Sequence, residues 1–333
     1  MANIRDVAKK AGTSIATVSR VLSNDESFKV PDSTKENIFN AVKELNYVIT
    51  KKNKEDKRIR IGCIMAMTAV KYSDPYFMNM ANAIENEAKK HNCSLSYLIN
   101  YDELEKPSKL AELHEMKLDG LIITEMLPKH IVEDLKQHVK HILTIDNYQN
   151  MFNSVGFDHF DSTKQIMKHL LSNNYRRIAY IGGGAPNIDM FDTKRLIMYR
   201  ECLRKENIDY DYDLIKDCYW DLAKCAEQTN ELLRLPNRPD AIFAGSDSLA
   251  QVVIGQIHKN NLRCPEDIAV VGFNNLDFSS YLIPPLTTVD VPSVEIGRVA
   301  VKRILEMIQK NDQSIYSIFL PTKLIIRSST RGI

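Results

Sequence analysis

The sequence has one tryptophan, six cysteines, 12 glycines and 12 prolines in 333 residues. So little glycine and proline excludes collagen-like and low-complexity chains. The cysteines, at 63, 93, 202, 218, 225 and 264, include no Cys-x-x-Cys pair. Neither a disulfide frame nor a cysteine zinc site is therefore written in the chain, and Cys218 and Cys225 read as structural. A reduced, cytoplasmic setting is the expectation. No uninterrupted apolar run approaches the ~20 residues that span a bilayer. The opening Met-Ala-Asn-Ile-Arg-Asp puts charges where an export signal needs an apolar core.

Catalytic patterns are equally scarce. Gly182-Gly-Gly184 after a strand hints at a phosphate loop, but neither G-x-G-x-x-G nor the Walker pattern is present. Ser246 lacks the G-x-S-x-G elbow of a hydrolase. The eight histidines form no HExxH, and His138 and His141, on a polar stretch, read as solvent-facing. The chain is expected to be no enzyme, with no cofactor and no metal.

Charge is present but unevenly placed. The 44 basic and 43 acidic residues nearly cancel, yet residues 1–60 carry 13 basic and 8 acidic side chains, a net of +5. The remainder carries 31 and 35, a net of −4. A basic head on a mildly acidic body predicts that one end meets a polyanion.

Residues 1–47 read as a small all-α head. Ile4, Val7, Ala8 and Ala11 recur at helix spacing until Gly12 breaks the run. Ser14 is a good N-cap for Ile15–Leu22. Asp32, Ser33 and Thr34 open a third stretch whose apolar face is Ile38, Phe39, Ala41, Val42 and Leu45. The order small Ala8, then Gly12, then aliphatic Val18 is that of a helix-turn-helix. The small residue lets two helices approach, glycine takes the left-handed turn conformation, and the aliphatic residue plugs the interface. The second helix then offers its N-terminal face to the DNA major groove. Ser14, Ile15, Ala16, Thr17, Ser19 and Arg20 are its candidate contacts. Arg20 can make two bonds to guanine, Ile15 and Ala16 can meet a thymine methyl, and the hydroxyls can grip phosphates.

Residues 48–60, with eight charged side chains among 13, read as a hinge or linker. From residue 61 apolar runs suited to buried strands alternate with amphipathic helical stretches, which predicts two doubly wound parallel-sheet lobes. The runs are Ile61–Met67, Ser94–Ile99, Gly120–Thr124, His141–Ile145, Ile178–Ile181, Ala241–Ala244 and Ile268–Val271. The helical stretches are Met80–Lys90, Ile131–Lys140, Ser162–Leu171, Leu196–Lys205, Leu222–Leu233 and Leu249–Asn260. Ligands of such sheets lie beyond the strand C-termini. Tyr76, Phe77, Asp146, Arg195, Trp220, Ser246 and Asn274 occupy places of that kind. Carboxylate, amide and guanidinium groups around a flat aromatic suit a sugar, whose paired hydroxyls and C–H face they match. Asp247, Asp158 and Asp161 read as helix caps.

The run Asn3-Ile-Arg-Asp-Val-Ala-Lys-Lys-Ala-Gly-Thr-Ser-Ile-Ala-Thr-Val-Ser-Arg-Val-Leu22 resembles the N-terminal signature of the lactose/galactose repressor (LacI/GalR) family of bacterial transcriptional regulators. Arg176–Gly183, Pro239–Ala250, Asp267–Phe273 and Pro284–Val289 are similar to blocks of that family, in its order. The resemblance implies a periplasmic-binding-protein-like body over 61–333, with an N-lobe of about 61–160 and 291–318 and a C-lobe of about 161–290 and 319–333. It implies a homodimer on a palindromic double-stranded operator, released by a small sugar effector, with a faint preference for galactosides and no membrane partner. It also implies that Arg195 contacts the effector, although Met198 replaces the family's glycine, and that Asp146, Ser246 and Trp220 line its pocket. Asn274 stands where many sugar-responsive members have Asp. The family's hinge helix carries a leucine that wedges into the minor groove, and 48–60 contains no leucine. The alternatives are a corepressor-type regulator that takes a purine or phosphorylated sugar, and a cytosolic sugar-binding protein.

Overall fold

The computed structural model describes residues 2–22, 28–45, 47, 58–65, 74–99, 104, 106–124, 126–146, 151–184 and 188–331. Most of the expected hinge, 48–57, lies outside them, so the leucine question does too. The chain divides into two compact units, Met1–Lys57 and Arg58–Ile333.

The first unit contains α1 (Ile4–Lys10), α2 (Ile15–Leu22) and α3 (Asp32–Glu44). The start of α1 is fixed by a reciprocal cap between Asn3 and Asp6. Gly12 sits at φ +65°, the left-handed turn conformation its position requires. Ser14 Oγ accepts from the Thr17 amide at 3.0 Å and caps α2. Val7, Ala8, Val18, Ile38 and Ala41 form the core, so the small residue and the plug lie together as the spacing predicts. Phe39 departs from expectation. It is 51% exposed, because the stripe of α3 that faces the other helices is carried by Ile38 and Ala41.

The second unit holds two six-stranded sheets with corresponding strand orders, which differ in the direction of the last strand. The first runs β11-β5-β4-β3-β1-β2 and the second β12-β10-β9-β8-β6-β7. The strands of the first are β1 (Arg60–Met65), β2 (Ser94–Ile99), β3 (Gly120–Ile123), β4 (His141–Ile145), β5 (Asn153–Phe157) and β11 (Ser317–Leu320). Those of the second are β6 (Ile178–Gly182), β7 (Ile215–Asp217), β8 (Ala241–Ala244), β9 (Ala269–Asn274), β10 (Thr287–Asp290) and β12 (Lys323–Ile325). Every pairing is parallel except β10 with β12. The chain changes sheet after β5, after β10 and after β11. The last change falls beyond Leu320, two residues later than the sequence suggests.

The connecting helices are α4 (Pro75–Lys90), α5 (Pro107–Glu115), α6 (Lys129–His138), α7 (His159–Ser172), α8 (Lys194–Lys205), α9 (Leu222–Arg234), α10 (Asp247–Lys259) and α11 (Ser293–Lys310). No described helix is long and apolar enough to cross a membrane. Helix α11 packs across α4 and the ends of β3, β4 and β5, and so closes the first lobe after the chain has returned from the second. Cys218 and Cys225 are buried free thiols in the second lobe's core. His141 is a correction, since it is 6% exposed rather than solvent-facing. It opens the central strand β4, and burial depresses its imidazole pKa.

A candidate DNA-reading helix and a cleft at the strand ends

The recognition candidate α2 keeps Val18 inward and turns its opposite face out. Ser14, Ile15, Ala16, Ser19 and Arg20 are exposed, and Thr17 is half-buried with its hydroxyl 2.8 Å from that of Ser14. The Arg20 guanidinium lies over the Phe28 ring at 4.8 Å from the centroid, which limits its freedom while it faces out. The interior of α2 thus fixes the helix, and its exterior presents one cation, two hydroxyls and two apolar side chains.

In each lobe of the body the strand order reverses beside the first strand, and the crevice beyond the strand C-termini is where such sheets take ligands. The backbone marks this place. Eleven described non-glycine residues have positive φ. Six of them, Asn92, Lys117, Asn174, Asn207, Asn261 and Asn311, end helices, where a left-handed residue is ordinary. The other five are Asp146 after β4, Tyr219 and Trp220 after β7, and Asn274 and Asn275 at the end of β9. Each costs of order 1–3 kcal/mol, and such strain gathers where a site must be held in one geometry.

Side chains converge on the same place. Tyr76 lies in the first turn of α4, which begins at Pro75 under an Asp74 cap rather than after the Pro-Tyr-Phe motif. Its hydroxyl donates to Asp146 Oδ2 at 3.0 Å. His159 Nε2 lies 3.9 Å from Asp146 Oδ1. Burial first, and then Arg195 and Lys194, hold the His159 imidazole pKa well below its usual value, so at neutral pH it can both donate and accept. Arg195 stacks on Phe273 at 4.2 Å and near Trp220 at 5.7 Å. Its buried Nε has no hydrogen-bond partner among the described residues, a donor held ready in an apolar frame. Phe157 of the first lobe packs on Phe273 of the second at 5.8 Å. Ser248 Oγ donates across the crevice to Asp74 Oδ2 at 3.0 Å.

The glycine loop at 182–184 proves to be a seat for the indole. A Cβ on Gly183 would lie 2.8 Å from Trp220 Cδ1, and Trp220 Nε1 donates to Gly184 O at 2.7 Å. Close approach explains all three glycines, Gly182 against the Tyr180 ring, Gly183 against the indole and Gly184 against the Ile188 backbone, and no phosphate cradle is needed.

Tyr76, Asp146, Arg195 and Trp220 are therefore brought together, and Asn274 ends the strand that carries Phe273. Phe77 packs edge-on against Tyr76 at 5.1 Å. Ser246 is set apart, because it is 5% exposed and its hydroxyl caps α10 by accepting from the Leu249 amide at 3.2 Å. This corrects Asp247, which is not the cap. It is buried and accepts from Ser279 Oγ at 2.5 Å, Thr288 Oγ1 at 2.6 Å and the Leu276 amide at 2.7 Å. Burial pushes its carboxyl up to about 6 against those three bonds. Asp158 does cap α7, through the Phe160 and Asp161 amides, and Asp161 lies in its first turn. His159, Lys194 and Ser248 were missed. His159 follows the unrecognised strand β5, and Lys194 and Ser248 look like ordinary first-turn helix residues.

A head that presents a recognition helix and a body with a polar, aromatic-framed crevice together define a DNA-binding regulator with an effector-binding domain. Residues 3–49 match the bacterial regulatory proteins of the lacI family, and residues 167–330 match the periplasmic binding protein-like domain. The chain thus pairs a helix-turn-helix domain of the lacI family with a periplasmic binding protein-like domain, and its relatives are repressors of that family. It is 29% identical to the ribose operon repressor of Halalkalibacterium halodurans, over 100% of this chain and 98% of that one. It is 27% identical to the HTH-type transcriptional repressor MelR of Bacillus subtilis, over 99% and 97%. The Lac repressor dimer, solved on its operator with the anti-inducer ONPF, superposes with a TM-score of 0.78 at 25% identity, over 99% of each chain.

Proposed function

We propose that this chain is a cytoplasmic, dimeric repressor that acts by binding rather than by catalysis, and that a small sugar in the crevice releases it from a palindromic operator. The division into head (1–47), hinge (48–60) and body (61–333), the latter with two lobes, belongs to the proposal. A single short helix specifies too few base pairs, and two-fold symmetry doubles the reading. Arg20 supplies the base-specific contact, Ile15 and Ala16 meet methyl groups, and Ser14, Thr17 and Ser19 fix the register on phosphates.

The observation that carries the effector reading is the grouping of Asp146, His159, Arg195 and Trp220 at the ends of strands from both lobes. A carboxylate, a neutral imidazole and a guanidinium with an unused donor suit vicinal hydroxyls, and the indole suits a sugar's C–H face. The ribose operon repressor and the Lac repressor are relatives consistent with this class of ligand. Contacts from both lobes let one bound molecule set their closure.

The test is selection of an operator from random duplex DNA with the full chain, followed by titration with monosaccharides and disaccharides, galactosides among them. The proposal expects an enriched palindrome and a sugar that weakens its binding. Enrichment of no sequence, or indifference to every sugar that thermal shift shows to bind, would refute it.

A further inference from the structure

The outer side of the first lobe carries a cluster that neither the operator nor the effector uses. His114 lies in the last turn of α5, and Asp134 and His138 lie one turn apart on α6. Strand β3 separates the two helices in sequence, and the fold brings them together. His114 Nε2 stands 2.7 Å from Asp134 Oδ2, and His138 Nδ1 stands 3.9 Å from the same oxygen. The two imidazoles stack with centroids 3.5 Å apart and planes 13° apart. His138 Nδ1 also donates to the Asp134 backbone oxygen at 2.9 Å, so that ring is already turned over the carboxylate. One ligating atom from each of the three residues lies within 4.8 Å of the other two.

We propose that His114, Asp134 and His138 bind a divalent transition-metal ion of the zinc class, and that the ion staples α5 to α6. Two imidazoles and one carboxylate are the donors of borderline ions such as Zn²⁺, Ni²⁺ or Cu²⁺, whereas Ca²⁺ and Mg²⁺ call for oxygen alone. With bonds of about 2.0–2.2 Å, ligands around a tetrahedral ion stand roughly 3.3 Å apart. Closing the cluster takes release of the His138 Nδ1 bond to the Asp134 backbone oxygen, rotation of both rings out of their stack so that each turns a lone pair to the ion, and opening of the 2.7 Å His114–Asp134 contact, all of them side-chain rotations open to partly exposed residues. The fourth position remains open to water. The site matters because α5 fully buries a single side chain, Leu113, with Leu110 half-buried against the same core. A covalent-strength bridge at its C-terminal end would hold it.

The test is hydrogen exchange and titration calorimetry on the full chain, with ZnCl₂ against EDTA. At about ten times its Kd, zinc should slow exchange of the amides of residues 107–115 by about tenfold where opening breaks the bridge. The double variant H114Q/H138Q should lose that protection and one equivalent of zinc, with an unchanged circular dichroism spectrum. Asp134→Asn, which keeps a hydrogen-bonding side chain, should weaken the same site if the double variant fails to fold. The cysteines are free and could take zinc themselves, so the difference from wild type is what counts. Equal zinc uptake by wild type and variants, or saturated wild type with unchanged exchange over 107–115, would overturn the proposal. Operator and sugar binding are separate readouts, and the fate of this site does not depend on theirs.

Discussion

Arg195 and Arg20 have the same side chain and, as proposed, opposite work. Arg195 is framed by Phe273 and Trp220 with no hydrogen-bond partner for its Nε among the described residues, so its removal leaves an empty place in the crevice. Arg195→Ala should keep operator affinity and lose the response to sugar, which a titration of the operator complex measures. Arg20 is exposed on α2, and Arg20→Ala should cost about 1–3 kcal/mol at one base pair with sugar affinity intact. Damage to both functions by either substitution would assign these residues wrongly. Asp247 gives a third test. Its raised pKa means that the folded state favours the protonated acid. Its contribution to stability is then complete below about pH 4 and is lost as pH rises towards about 6, on the order of 3 kcal/mol in all. Asp247→Asn should flatten the dependence of melting temperature on pH across that window.

Among the elements, α2 depends on its turn. Gly12 at φ +65° has open space around the place of a Cβ, so Gly12→Ala should cost about 1–2 kcal/mol through backbone strain alone. Faster amide exchange in α1 and α2 would show it. The central strands and all helices but α5 and α11 were legible in the sequence because each carries an apolar pattern of its own, whereas the short α5 fully buries only Leu113. Strand β4 matches its apolar run, and β8 does too. Strands β5, β7 and β10 to β12 were not legible. Asn-Ser-Val-Gly-Phe and Thr-Thr-Val-Asp look polar until sheet partners accept their hydroxyls and amides. Asn153 is typical, since its side chain is satisfied by Arg303 and by the Ser314 carbonyl more than 140 residues away. Helix α11 escaped for a related reason: Arg303 is buried in it through bonds to Glu306 and Asp312. The crevice was half legible. Arg195 and Trp220 stood out by residue type, whereas His159 acquires meaning only when β5 places it beside Asp146.

The whole molecule joins a basic N-terminal segment to an effector-binding body, and under the proposed function its regulation is a coupling between them. Binding by a head and hinge that together carry a net charge of +5 over residues 1–60 rests partly on phosphate contacts, so the logarithm of operator affinity should fall steeply and linearly with log salt, while that of sugar affinity should not. A body that discriminates released from bound heads must also be discriminated by DNA, because coupling between two binding equilibria is reciprocal. The most direct measurement is sugar affinity determined by calorimetry on the full chain, first alone and then saturated with its selected operator. The account predicts that operator weakens sugar binding by the same factor by which sugar weakens operator binding, about 5–150-fold. Identical sugar affinities in the two titrations would contradict it.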